Sequence, residues 1–235
     1  MMGGKLMKRF RNTITRILVL AGLAAAAASL ASTAQAVDQA WRSATIEDAV
    51  RAAPPSVTDT ASIYGWTSEG ELVLARYGAG PYTCIGSGSF SLRIKKPPLP
   101  YPDPMCLDQN AWAFIQALWS AKNPAGPERP YPSAPGLVWM LAGMNVSKSA
   151  VDIGSASVSV TKESAGTGSS AAVVQMTPHV MILPLPFNEK VAQMSTAYAL
   201  DDPLGAWIMA AGKPHEHLMV HFSGKDVDAL MAPDR

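Results

Sequence analysis

The sequence predicts an α+β fold: a single exported domain rich in antiparallel strands, with two or three short helices. Three observations carry that expectation. Short β-prone runs recur between glycine-bearing turns, Asp108 to Ala121 has helical periodicity, and no internal repeat or long polar linker divides the chain.

The chain opens on an export-type leader. Lys5, Lys8, Arg9, Arg11 and Arg16 form a basic head, Ile17 to Ala28 is an apolar run, and Ala34-Gln35-Ala36 is a small-x-small cleavage pattern. The apolar run falls short of the roughly 20 residues that span a bilayer, so it reads as a removable signal. The expected organisation is a cleaved signal over 1–36 and one exported domain over 37–235. Its arginines are not adjacent, which favours export of an unfolded chain, and no cysteine near the cleavage site offers a lipid anchor. Removing five of the 19 basic residues and none of the 18 acidic ones leaves 14 against 18, a net charge of −4. That charge lacks the clustered basic face a nucleic-acid partner asks for. No later apolar run is long enough for stable membrane insertion.

Thr45 to Ala53 predicts a short helix, with Ile46, Ala49 and Val50 on one face and Pro54-Pro55 ending it. Strands are expected at Ala61 to Trp66, Glu71 to Tyr77, Tyr82 to Ile85 and Phe90 to Ile94. Ser68-Glu69-Gly70, Gly78-Ala79-Gly80 and Gly86-Ser87-Gly88 separate them, as in an antiparallel meander. Asp108 is the expected N-cap of a helix reaching Ala121, in which Trp112, Ile115 and Trp119 form an apolar stripe; Asn123-Pro124 stops it. After a second proline-rich stretch come strand expectations at Leu137 to Ala142, Ser157 to Thr161, Val173 to Leu183, Ala206 to Ala210 and His217 to Phe222. Gly166 to Ser170 reads as a turn, and a short helix is expected at Glu189 to Ala197.

Cys84 and Cys106 are the only cysteines. In an oxidising compartment an isolated pair reads as one disulfide, and no C-x-x-C spacing points to redox or metal chemistry. The bridge would close a loop holding Pro97, Pro98, Pro100, Pro102 and Pro104, which cannot pair its own backbone regularly. In the chain-entropy account such a closure is worth about 3 kcal/mol.

All four histidines lie in the last third. In an extended Pro214–Phe222, His215, His217, Met219 and His221 share one face, while Leu218, Val220 and Phe222 turn to the core. His179 and Met181 alternate in the same way with Val180 and Ile182. Were the two strands neighbours, imidazole and thioether groups would meet. Imidazole suits copper, zinc or nickel, and thioether sulfur favours Cu(I). The candidate metal residues are therefore His179, His217, His215, His221, Met181 and Met219, with copper or zinc as the candidate cofactor. The ordinary alternative is a polar strand face with methionine as core filler.

Other signatures are weaker. His215-Glu216-His217 lacks the zinc-protease spacing. Ser159-Val160-Thr161-Lys162 fits a serine-x-x-lysine pattern without its companion motifs. Gly86-Ser87-Gly88-Ser89 reads as a turn rather than a nucleophile elbow, and Asp201-Asp202-Pro203 as a turn rather than a cation site. Asn145-Val146-Ser147 is a glycosylation triplet without force in a bacterial source.

Taken together, Tyr82-Thr83-Cys84, Pro104-Met105-Cys106-Leu107-Asp108, Pro178-His179-Val180-Met181 and Gly212-Lys213-Pro214-His215-Glu216-His217-Leu218-Met219-Val220 resemble a family of bacterial exported proteins without an assigned activity. The resemblance covers Ala61 to Val220. It implies the bacterial envelope and a structural pairing of the two cysteines, and no reaction, cofactor or substrate. His179 and His217 match its pattern, whereas His215 and His221 stand where the family tends to carry an aromatic residue and a proline. The expected function is a cell-envelope protein, either structural or binding a small ligand or a transition metal. The alternative is a secreted hydrolase with His179 or His217 as general base.

Overall fold

The structure, a computed structural model, describes residues 38–120, 128–147, 173–188, 193–198 and 202–232. The leader, Asn123-Pro124, Ser157 to Thr161, Ser159–Lys162, Gly166 to Ser170 and Asp201 fall outside the described residues. Two compact units are present, Met1–Ser43 and Ala44–Arg235. Of the first, the described residues 38–43 are helical, with Arg42 Nε bonded to Asp38 Oδ2 at 2.9 Å.

Helix α1 covers residues 38–49 and runs into a 3-10 turn, Val50–Ala52. It begins earlier than the predicted Thr45 start. Pro54-Pro55 ends this segment as expected. Pro55 also opens the one-turn α2 (Pro55–Thr58), a first helical position where a missing N–H costs nothing.

The strands are β1 (Ser62–Trp66), β2 (Leu72–Arg76), β3 (Thr83–Ile85), β4 (Met105–Leu107), β5 (Gly136–Met140), β6 (Met144–Ser147), β7 (Val173–Met176), β8 (His179–Leu183), β9 (Trp207–Met209) and β10 (His217–His221). Eight form one mixed sheet in the order β2-β1-β3-β4-β5-β8-β10-β9, while β6 and β7 pair separately. Helices α3 (Gln109–Trp119) and α4 (Gly224–Met231) complete an α+β fold in which antiparallel pairings dominate.

Strands β4 and β6 and helix α4 were not expected, and other details differ as well. Strand β3 does not continue a meander; it lies beside β1 in parallel, Ile63 opposite Cys84. Phe90 to Ile94 is no strand but a loop with a 3-10 turn at Leu92–Ile94. There the Ser91 and Arg93 amides both bond to the Gly88 carbonyl, and Phe90 and Ile94 are left exposed. Val173 to Leu183 breaks into two strands at Thr177-Pro178, where proline lacks the ladder N–H. Residues 193–197 are not helical, and Gln193 takes a positive φ of 52°.

Cys84 and Cys106 face one another across β3 and β4 and are joined by a disulfide. The bridge closes the proline-rich loop, which is tethered a second time by Asn145. Its side-chain amide accepts from the Tyr101 N–H at 3.0 Å and donates to the Tyr101 carbonyl, completing a peptide-like pair. Asn145 is thus buried and committed to the loop, not presented as a glycosylation acceptor.

Asp108 caps α3, accepting from Ala111 N at 2.8 Å, and its other oxygen takes Leu137 N of β5 at 2.9 Å. One carboxylate thus ties helix to sheet. Gly136 lets the two come that close, because a Cβ there would strike the Ala111 backbone. Helix α3 lays Ala111, Phe114 and Ile115 on the sheet face that carries Leu107, Val138, Met140, Met181 and Met219. The opposite face holds the disulfide, with the Ala49 carbonyl 3.9 Å from Cys106 Sγ. Among the described residues no helix is long and apolar enough to cross a membrane.

Candidate functional site

The two histidine-bearing strands are direct neighbours. Antiparallel pairing sets His179 opposite His221 and Met181 opposite Met219. On the other side of β8, His179 faces Met140 and Met181 faces Val138 of β5. Histidines and methionines therefore meet on one face of the sheet, as the parity of the sequence requires.

The orientation of that face is reversed from the expectation. Burial along β10 alternates with His217, Met219 and His221 inside and Leu218 and Val220 half-buried. The even positions, Leu218 and Val220, are the more apolar set, so alternation alone points to the wrong side, and the elements that cover the sheet decide. Tyr198, Trp207 and the core under α3 cover the odd side.

A buried imidazole must be neutral and hydrogen-bonded, and the structure shows how each achieves this. His221 has both ring nitrogens engaged. Trp207 Nε1–H donates to His221 Nε2 at 3.0 Å, which fixes the proton on Nδ1. Nδ1–H then donates to Thr177 Oγ1 at 2.7 Å, and that hydroxyl donates to the Pro203 carbonyl at 3.0 Å. The result is a closed relay of three bonds. Pro203 serves it from a turn in which Gly205 N donates to the Asp202 carbonyl, in line with the turn expected there.

His179 is different. It is fully buried, and its Nδ1–H donates to the Thr177 carbonyl at 2.8 Å. That bond leaves the lone pair on Nε2, which has no partner among the described residues. Only two other buried side-chain atoms there share this condition, Asp103 Oδ2 and Trp139 Nε1. The indole nitrogen can only donate, and Asp103 already accepts the Gly88 N–H through Oδ1 at 2.7 Å. Among the described residues, His179 Nε2 is the one buried, unpartnered neutral donor of an electron pair.

Burial, above all, pushes the His179 imidazole down to about 3, with smaller contributions from His221 and His217. Burial likewise lowers His217 and His221 to about 4 each. All three rings are uncharged at neutral pH, so no proton competes for a lone pair.

His217 and His215 stand apart from this block. The Glu216 N–H donates to the Lys213 carbonyl, so His215 sits half-buried in a turn before β10 rather than on the strand. Its carbonyl accepts Nδ1–H of His217 at 2.8 Å. His217 is four residues from His221 along β10, about 13 Å at the usual rise per residue. His179 and His217 are too far apart to share one ion through bonds of about 2 Å. Among the described residues no three His, Cys, Asp or Glu side chains converge as metal ligands would.

The sequence missed Thr177, Trp207 and Met140 as members of this site. Trp207 and Met140 carry no local signal, because only strand order brings them beside the histidines. Thr177 had one: it is two residues before His179, the spacing at which a carbonyl can orient the ring. No protein-family model, curated protein or solved structure matches the chain.

Proposed function

We propose that this chain is an exported, disulfide-bonded envelope domain that binds a transition-metal ion, copper or zinc, through His179. The carrying observation is the ring's arrangement: Nδ1–H bonded to a backbone carbonyl, Nε2 bare, and a charge state fixed as neutral. A carbonyl on the far nitrogen is the usual support of a metal-ligating histidine, because it sets the tautomer and the ring orientation. The basic leader and the single disulfide favour a compartment where captured metal would be met before entry to the cell.

The alternative, a hydrolase with a histidine base, draws less support. A general base needs an acid or hydroxyl partner and a proton affinity near the working pH. Both His179 and His217 give Nδ1–H to a carbonyl, and both hold their protons far more weakly than neutral pH requires.

Titration of the purified protein with Cu(I), Cu(II) and Zn(II), beside His179→Ala and His217→Ala, tests the proposal. The expected result is binding that His179→Ala abolishes and His217→Ala leaves intact. Equal binding by the wild type and His179→Ala for every ion would overturn it.

A further inference from the structure

Resting on that reading of His179, we propose that the ion is Cu(I), held by His179 Nε2 together with thioether sulfurs of Met140, Met181 and Met219. The inference comes from what the register places around the ring. On one side of His179 stands Met140, directly opposite on β5. On the other stands His221, its centroid 5.3 Å away, but both of its nitrogens are already used. The next row of the same face carries Met181 and Met219, themselves opposite one another. Cross-strand neighbours have Cβ atoms about 5 Å apart and diagonal ones about 7 Å, within reach of a methionine's three flexible torsions.

The burial of these residues fits a shared role. Met140 and Met219 are completely buried and Met181 nearly so. The positions opposite and diagonal to His179 in this register carry the thioethers of Met140, Met181 and Met219 and the already committed ring of His221, and no carboxylate. Zinc in protein sites takes four ligands of nitrogen, thiolate or carboxylate type. Thioethers are poor ligands for it and good ones for Cu(I), the soft ion of the first row. One imidazole and two or three thioethers are thus a donor set that selects copper by softness. Because the donors are uncharged, the ion would also bring its single positive charge into a region without a counter-charge. A monovalent ion is far cheaper to bury there than a divalent one.

The closing experiment separates this proposal from the broader one. Cu(I) is presented as its complex with a chromophoric Cu(I) chelator, with Ag(I) as a redox-inert substitute and Zn(II) in parallel. Wild type, His179→Ala and the triple variant Met140→Leu/Met181→Leu/Met219→Leu are compared. Leucine keeps volume and apolarity while deleting sulfur, a swap that cores tolerate. The expected result is Cu(I) and Ag(I) taken up by the wild type one per chain. The triple variant should lose at least the 10- to 100-fold (roughly) that even a supporting contact around a metal is worth. Full Cu(I) affinity in the triple variant would overturn the thioether assignment while leaving a His179 site standing. Zn(II) binding that depends on His179, without Cu(I) or Ag(I) binding, would do the same. No His179-dependent binding of any ion would end both. Should the triple variant fail to fold, methyl resonances of Met140, Met181 and Met219 in wild-type protein replace it. They must shift on addition of Ag(I), and unmoved methyl signals at saturation would overturn the assignment.

Discussion

His179 and His221 lie opposite one another on adjacent strands, ring centroids 5.3 Å apart, yet one is fully hydrogen-bonded and the other is not. The difference traces to Thr177. Its carbonyl takes Nδ1–H of His179 and its hydroxyl takes Nδ1–H of His221. Trp207 then caps the far nitrogen of His221, and among the described residues no equivalent group reaches the far nitrogen of His179. Two buried histidines of the same strand pair thus differ: His221 has both ring nitrogens engaged, and His179 has Nε2 without a hydrogen-bond partner among the described residues.

Thr177→Val removes the hydroxyl between His221 and the Pro203 carbonyl while keeping the β-branched shape. It leaves a buried imidazole N–H without an acceptor, a loss of about 1–3 kcal/mol. Urea unfolding measures it through a shift of the midpoint at unchanged slope. A change below about 0.5 kcal/mol, the size of ordinary surface effects, would show that the relay is not formed in solution.

Acid should destabilise the fold well before its carboxylates are protonated. Burial lowers His179 to about 3 and His217 and His221 to about 4, from the 6.5 of a free ring. Above about pH 6.5 neither state binds protons at these rings and their full contribution is present. As pH falls below that, only the unfolded chain is protonated. Each ring then removes about 1.4 kcal/mol of stability per pH unit until its folded value is reached. Asp103, pushed up chiefly by burial, works in the opposite sense, so the loss belongs to the histidines. Unfolding midpoints measured from about pH 7 to about pH 5 should fall steeply, and His217→Leu should flatten the slope. A midpoint that does not change over that range would contradict the burial of neutral rings.

Asp108→Ala tests how α3 is held over the histidine face. It removes the N-cap, worth about 1 kcal/mol, and also leaves Leu137 N of β5 without its acceptor. A loss of about 2–3 kcal/mol is expected, against about 0.5–1 kcal/mol for Asp108→Asn, which keeps one acceptor oxygen. Equal losses for the two variants would show that the bond to Leu137 does not contribute.

The α3 cap, the cysteine pair and most strands were legible because each rests on local chemistry: an aspartate before an apolar stripe, two cysteines, alternating runs between turns. Strand order was not, since β3 beside β1 and β5 beside β8 are decided by burial across distant segments. The shared face of His179, Met181, Met219 and His221 followed from parity and from the pairing of β8 with β10. Which way that face turned did not follow, because Leu218 and Val220 are the more apolar set and the cover comes from α3, Tyr198 and Trp207. His217 shares the same parity and so falls on the same face. The strand rise separates it from His179, a distance only the register of β8 and β10 reveals.

The central claim is that His179 is a neutral ring, protonated at Nδ1, whose Nε2 is free to take a soft metal ion. Nitrogen NMR of ring-labelled protein reads it directly, following the two His179 resonances from about pH 8 to about pH 5 and then during addition of Ag(I). The account predicts one protonated and one bare nitrogen at every pH, with the bare signal alone moving as Ag(I) is added. A ring that titrates in that range, or a bare nitrogen that ignores saturating Ag(I), would contradict it.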